Sequence, residues 1–509
     1  MAVPVWSVDP RSGKQREQVA VEATAEDVDA AVRAAAAAIP ALADRSVRSR
    51  LLRAAAGALE EAGERVIAAA DAETALGVPR LTGELARTAF QLRTFADVVD
   101  EGAYLDVIID TPDPDAKPIP RPDLRRMKIP LGVVAVYAAS NFPLAFSVPG
   151  GDTASALAAG CPVVVKAHPD HPATSALCAE LLRGAAVSVG LPADTVVLVH
   201  GFAAGVELVR HPLVAAAGFT GSVPGGRALH DAAAARPRPI PFHGELGSLN
   251  PVVVTEAAAA ERAEQIGTGL AGSFTLGVGQ FCTKPGLVLA PAGDDGDRLV
   301  AALTGAAREA AAGVLLDGRM RTNFLAGAAA RAALPAVTAP VAPGEDGELG
   351  VRPGFVTLAA AELAVQGAHD VLLEECFGPL TVVVRYGSAD ELAAVLDRLP
   401  GNLTATAHLG TAEAAEQGGA AAALLTRLSA LAGRVLVNGW PTGVAVTAAQ
   451  HHGGPYPATT STSTSVGATA IERWLRPVAY QDTPQALLPA ELRDGNPLGV
   501  PRRVDGERG

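Results

Sequence analysis

Apolar positions change their spacing partway along the chain, and the change divides it. Through the first hundred residues Ala, Leu and Val recur three and four apart, with Arg and Glu between them, over Asp27–Ala38, Val47–Asp71 and Glu84–Asp100. That period predicts amphipathic helices. Thr111 to Pro122 then holds five prolines and no period, which reads as a linker or crossing segment. Beyond it come short β-branched runs: Gly132–Tyr137, Pro162–Lys166, Thr195–Val199, Pro251–Thr255, Gly286–Ala290, Thr381–Arg385 and Arg434–Asn438. Helical patterns separate most of them, at Ala173–Val189, Ala257–Phe274, Leu299–Ala312, Ala389–Leu399 and Ala412–Leu431. Nearly continuous apolar strands alternating with helices mean parallel sheets covered on both faces, an α/β protein. From Tyr480 on the chain is polar and interrupted by proline, so this tail is expected to be partly disordered or wrapped on a neighbouring subunit.

Composition narrows the class. With 509 residues, 49% of them hydrophobic, the chain is long enough for two or three domains. Its 41 basic residues against 54 acidic ones give a net charge of −13, which argues against a nucleic-acid partner and for small molecules. Four cysteines are too few for a disulfide scaffold, so reduced thiols are expected. The N-terminal segment lacks the basic and apolar regions of a signal peptide, and no apolar run reaches the roughly 18 residues of a membrane span. A soluble cytoplasmic protein is expected.

Candidate chemistry lies in a few glycine-rich turns. Gly277–Thr283, GVGQFCT, sets Cys282 among small residues between a helix and a strand, an accessible place for a nucleophile. A lone cysteine is otherwise more often a packed thiol, which is the reading for Cys161, Cys178 and Cys376. His243–Pro251, HGELGSLNP, puts Glu245 just ahead of a strand, where a glutamate is ordinarily a solvated side chain. Tyr137–Phe146, YAASNFPLAF, sets Asn141 at a strand's C-terminal end, where α/β sheets build their sites. No convincing G-x-G-x-x-G is present. Instead Gly221, Ser222 and Gly226 lie in GSVPGG at the start of a helix, whose free N–H groups suit a pyrophosphate. The adjacent histidines of HHGGPYP, His451–Pro457, have diverging side chains and no neighbouring carboxylate or thiol in sequence, so a structural loop is expected there and no metal.

Taken in order, SVDPRSG, SNFP, VVVKAHP, FTGSVPGG, ELGSLNP, GQFCT, EECFGP and NGWPTG resemble the aldehyde dehydrogenase superfamily over nearly the whole chain. The resemblance implies a Rossmann-type cofactor domain (1–112 and 131–245), an α/β catalytic domain (246–437), and a small β oligomerisation extension with the C-terminal tail (113–130 and 438–509). It implies a homodimer or homotetramer. It makes Cys282 the nucleophile, Glu245 the general base and Asn141 the oxyanion donor. Lys166, His168, Gly221, Ser222, Gly226, Glu375 and Phe377 become cofactor residues. The implied reaction is oxidation of an aldehyde to a carboxylic acid through a Cys thiohemiacetal and thioester.

Finer features follow from the same resemblance. Family members that prefer NAD often carry a glutamate three residues after the lysine matching Lys166, and this chain has Pro169 there. The bar against a 2′-phosphate is missing, so NADP is expected to be preferred and NAD accepted. The texture of KAHPDHPATS, FHGELGSLNP and HHGGPYPATTSTSTSVG is most like the 2,5-dioxovalerate (α-ketoglutaric semialdehyde) dehydrogenases, with an NADP-dependent fatty-aldehyde branch as the alternative. A carboxylated substrate needs a cationic pocket. Lys284 is one candidate beside Phe142, and Arg473 or Arg476 would serve if the C-terminal segment folds over the mouth. Two rivals are a CoA-acylating relative, which typically lacks the base that Glu245 supplies, and an inactive structural relative, against which Asn141, Glu245, Cys282 and Glu375 stand together.

Overall fold

The computed structural model describes residues 3–508. The chain opens with a hairpin, Pro4–Asp9 paired with Lys14–Val21. Helices follow at Ala25–Ala38, Arg45–Glu61, Gly63–Thr74 and Val78–Glu101. The long run expected over Val47–Asp71 breaks at Ala62 into two helices. The first helix begins where sequence chemistry dictates: Thr24 and Asp27 form a reciprocal capping box.

Five parallel strands form one sheet in the spatial order Val196–Val199, Val163–Lys166, Val133–Tyr137, Val214–Thr220, Phe242–Glu245. The chain winds outward from its first strand to one side and then returns to build the other. Such an order leaves a crevice beyond the strand C-termini where the direction reverses. Both strands flanking the reversal end in segments of interest, Asn141 after Tyr137 and Gly221 after Thr220. Lys166 and Glu245 are the last residues of their own strands. The strands at Val214–Thr220 and Phe242–Glu245 had only a weak sequence signal, because glycine and histidine interrupt their apolar runs.

A second sheet of seven strands runs Thr338–Val341, Gly354–Ala359, Leu380–Tyr386, Leu287–Pro291, Val252–Val254, Asn402–His408, Ala432–Val437. It is parallel throughout except for the first strand. Its core is aliphatic and its helix Glu256–Thr275 packs against Asp294–Glu309. Scarce aromatics are no handicap where Val, Leu and Ala fill both faces of each sheet.

A third sheet forms an extension. Leu475–Gln481 pairs antiparallel with Leu124–Pro130, which pairs with Val107–Asp110. The tail strand Arg502–Val504 lies parallel to Val107–Asp110. The tail is therefore ordered rather than partly disordered, because its strand Arg502–Val504 pairs with this sheet. Val107–Asp110 lies in the extension sheet although it precedes residue 113. Residues 438–467 depart from the expected extension in the other direction and run past the cleft between the two large sheets.

Candidate active site

Cys282 sits in a half-buried turn between the helix ending at Thr275 and the strand Leu287–Pro291. The backbone ahead of it is unusual. Gly277, Val278 and Gly279 are consecutive left-handed residues, with φ of 57°, 58° and 67°. A β-branched residue in that region is strained, and such strain survives only where its surroundings enforce it. A Cβ on Gly279 would lie 2.3 Å from the Gly378 carbonyl, so only glycine fits. Asn250 clamps the far side of the turn: its Nδ2 donates to the carbonyls of Cys282 (2.8 Å) and Lys284 (2.9 Å). Asn141 approaches from the first sheet, and its Nδ2 donates to Gln280 O at 3.0 Å. An amide nitrogen carries two protons, so one N–H remains for an oxygen formed beside Cys282.

Glu245 is buried and has both carboxylate oxygens engaged. Ser465 Oγ donates to Oε2 at 2.6 Å, and His452 Nε2 lies 2.9 Å from Oε1. A carboxylate only accepts, so Nε2 carries the proton of that bond. The same Nε2 stands 3.6 Å from Cys282 Sγ. Burial alone would raise the Glu245 carboxyl, but the His452 ring and the Ser465 hydroxyl outweigh it and hold the group below its ordinary range. The Cys282 thiol is pushed the other way, well above its ordinary value, by burial first and by the Glu245 and Glu375 carboxylates next. The resting nucleophile is a thiol with an imidazole beside it.

His452 overturns the expectation of a merely structural HHGGPYP loop. The neighbouring side chains diverge as expected, but a carboxylate and a thiol do join one of them. They come from 207 and 170 residues away, invisible to local spacing. Donor atoms of Glu245, Cys282 and His452 all lie within 4.8 Å of one another, so these are residue types that hold metals elsewhere. Here each is already committed to hydrogen bonding within the trio.

A cavity of about 1070 Å³ opens from Cys282 and Glu245 toward the strand ends of the first sheet. Lys166, His168, Gly221, Ser222, Glu375 and Phe377 line it. Its size suits a dinucleotide. Ser222 caps the helix Val223–Ala234, its side chain accepting from Gly225 N. Gly226 lies just behind: a Cβ there would come within 2.1 Å of Leu246, so the loop closes on the sheet only with glycine. A Cβ on Gly247 would meet Glu375 Oε2 at 2.6 Å, which leaves that carboxylate room to face the cavity. Burial raises Glu375 to about 7. Burial also lowers Lys166 to about 8, its Nζ lying 4.8 Å from the Phe202 ring centroid. The residues present fit a nicotinamide dinucleotide.

Asp170 and Arg319 escaped the sequence reading. Asp170 follows Pro169, and its carboxyl is raised to about 8 by burial and by the nearby Asp317. Arg319 reaches the same cavity from the helix Gly318–Ala332 of the other domain. No local signal marks a residue that arrives from a separate sheet.

Lys284 is not a substrate residue. It is buried, and its Nζ donates to the carbonyls of Cys376 (2.8 Å) and Leu380 (2.7 Å), tying the nucleophile turn to the segment that carries Glu375. Arg473 is likewise spent, in a buried ion pair with Asp152. Arg476 lies on the extension strand opposite Ile129, away from the cleft. Phe142 does pack at the site, with its ring edge-to-face against Phe281 at 5.3 Å.

Comparison with known proteins follows the same lines. The chain is 48% identical over 467 residues to alpha-ketoglutaric semialdehyde dehydrogenase 2 of Azospirillum brasilense, covering 91% of this chain and 87% of that protein. It is 43% identical over 449 residues to alpha-ketoglutaric semialdehyde dehydrogenase of Acinetobacter baylyi, covering 88% and 84%. The solved structure of PnpE in complex with nicotinamide adenine dinucleotide shares the fold, with a TM-score of 0.78 at 24% identity over 94% of this chain and 95% of that one. The aldehyde dehydrogenase family model matches residues 4–476, which takes in both large sheets and every residue of the cleft, and the chain belongs to the aldehyde dehydrogenase family.

Proposed function

We propose that the protein oxidises 2,5-dioxopentanoate to 2-oxoglutarate, with NADP preferred and NAD accepted. The observation that carries the reaction type is the trio of Cys282, His452 and Glu245 at the inner end of the dinucleotide-sized cavity, with Asn141 alongside. The substrate reading rests on the likeness to the two semialdehyde dehydrogenases.

The thiol proton passes to the nearby Glu245 carboxylate and on to solvent, while the His452 Nε2–H, donated to that carboxylate and 3.6 Å from Sγ, faces the thiolate that forms. Sγ of Cys282 forms a bond to the aldehyde carbon, and the carbonyl electron pair moves to oxygen. The free Asn141 N–H and a backbone N–H stabilise that oxyanion. Gly221, Ser222 and Gly226 would hold the pyrophosphate at the helix N-terminus, Lys166 and Glu375 would hold ribose hydroxyls, and the nicotinamide so held would supply the acceptor for the hydride that the carbon loses as its C=O bond re-forms. Cys282 is left as a thioester. The Glu245 carboxylate draws a proton from water, whose oxygen bonds to the acyl carbon as the C–S bond breaks, releasing the acid and the thiolate. Water rather than a second thiol is the acceptor, since Glu245 stands in place for it.

The NADP preference gains from electrostatics. Lys166 and Arg319 offer positive charge, and Asp170, raised to about 8, is largely neutral at pH 7 and does not repel a phosphate. Reduced thiols and a cytoplasmic setting agree with four free cysteines, and no helix among the described residues is long and apolar enough to cross a membrane. Leu475–Gln481 and Ala432–Val437 each lie at the edge of a sheet. Pairing of such edges between copies would build a homodimer or homotetramer.

The test is a panel of 2,5-dioxopentanoate, succinate semialdehyde, glutaraldehyde, hexanal and decanal with each cofactor. The expected result is the highest kcat/KM for 2,5-dioxopentanoate with NADP. Highest activity on decanal refutes the substrate, and an NAD preference above about tenfold, roughly 1.4 kcal/mol, refutes the cofactor choice.

A further inference from the structure

Once Lys284 and Arg473 are committed elsewhere, the proposed substrate still needs a cation for its far carboxylate. The helix Val78–Glu101 carries Arg80, Glu84 and Arg87, spaced four and three apart and so on one face, toward the segments that hold Asn141, Cys282 and Glu245. Arg80 lies directly beside both catalytic segments. Its Nη2 donates to Asn141 O at 2.6 Å, and its guanidinium carbon sits 5.0 Å from the Phe142 ring centroid and 4.7 Å from that of Phe281. Phe142 follows Asn141 in the chain and Phe281 precedes Cys282. Nε and Nη1 of Arg80 are buried without a protein partner.

Arg87, two turns on, stands over the Phe146 ring at 5.2 Å, and Phe146 in turn neighbours the His452 ring at 6.1 Å. Its Nη1 is buried and unpartnered. Neither arginine forms an ion pair among the described residues. Between them, Glu84 Oε1 accepts from Leu144 N (2.8 Å) and Ala145 N (2.9 Å), which holds the loop after Asn141 in place, while its Oε2 is buried without a hydrogen-bond partner. Glu84 is the one carboxylate set against two guanidinium groups, so the pair keeps desolvated donors and one positive charge that a further anion would balance. The aromatic faces add cation–π contact without using up the N–H groups.

We propose that Arg80 and Arg87 form the subsite for the distal carboxylate of a semialdehyde whose carbonyl carbon lies at Cys282. This rests on the substrate reading above and names the residues that would enforce it. Arginine suits the task, because its planar fork binds a carboxylate through paired N–H groups. A neutral chain of equal length would leave those donors unpaired. Discrimination therefore comes from the aldehyde's charge rather than its length.

The experiment compares 2,5-dioxopentanoate with pentanal in the wild type, Arg87→Leu and Arg80→Leu. The ratio of their kcat/KM values is expected to fall roughly 30- to 100-fold in each variant, the worth of a hydrogen-bonded charge, mostly through KM for the carboxylated substrate. A wild type that favours dioxopentanoate, with variants that keep the full preference, overturns the arginine assignment and leaves the substrate reading standing. A wild type with no preference for the carboxylated aldehyde overturns both. If neither variant folds, the wild type decides. At equal concentration 2-oxopentanoate must protect Cys282 from iodoacetamide and its neutral analogue 2-pentanone must not, and equal protection by the two refutes the proposal.

Discussion

Replacing His452 with Phe keeps the ring volume and removes the nitrogen shared by Glu245 and Cys282. Two consequences can be sized from the geometry. The His452 Nε2–H, 3.6 Å from Sγ, stabilises a thiolate by about 1.5–3 kcal/mol, the worth of a hydrogen bond to a charged group, or roughly one to two pKa units. Without it, burial and the carboxylates of Glu245 and Glu375 are opposed only by Arg434 among the largest influences on the thiol, so the thiolate becomes scarcer. The alkylation rate of Cys282 by iodoacetamide near pH 7.5 should fall roughly 10- to 100-fold, the upper bound being the full two units. Its pH profile should move to higher pH.

Glu245 responds in the opposite sense. In the wild type its carboxyl is held low, so its contribution to stability is present above the ordinary carboxylate range and is lost as pH falls through its depressed value. In His452→Phe the carboxyl loses a lowering partner and burial acts more freely, so its pKa rises. The variant's stability deficit should then grow between about pH 4 and pH 7, toward the 3–5 kcal/mol of a broken buried pair. Thermal unfolding followed across that range measures it. An unchanged alkylation profile, with a deficit that does not vary with pH, would show that the ring only fills space.

The remaining expectations are brief. Cys282→Ala should abolish NADPH formation, and surviving turnover refutes the covalent route. Lys284→Met should lower the unfolding temperature by removing two buried hydrogen bonds, each worth about 1.5–3 kcal/mol from a charged donor, while KM for 2,5-dioxopentanoate changes less than about twofold. A large KM effect would return Lys284 to the substrate site. Gly279→Ala forces a Cβ against the Gly378 carbonyl at a left-handed position, and kcat/KM should fall at least about 100-fold as the turn shifts. Wild-type activity in that variant would show the turn to be free to relax.

Most of the sheet framework was legible because its signal is local. Valine runs such as Val163–Lys166 and Leu287–Pro291 read as buried parallel strands, and a run of that kind has few alternatives. The strands that escaped notice, Gly354–Ala359 and Asn402–His408, open with residues that score poorly in strands, and their neighbours across the sheet override that preference. The tail misled for a related reason. Its polar strands pair through backbone N–H and C=O groups, which the side-chain pattern does not announce.

The site divides in the same way. Cys282, Glu245 and Asn141 each lie in a turn with its own signature, glycines before the nucleophile and strand ends before the other two, and the turn geometry is set by residues a few positions away. The resemblance that those motifs carry together implied the reaction class. It could not determine charge balance, which depends on what the fold brings together. Lys284 lies two residues from the nucleophile and points into carbonyls. His452 lies 170 residues away and touches the thiol. Arg80 and Arg87 belong to a helix whose pattern marks only an amphipathic face, and folding turns their side of it toward the catalytic segments. Electrostatic interaction depends on distance through space and on burial, and tertiary structure alone sets both.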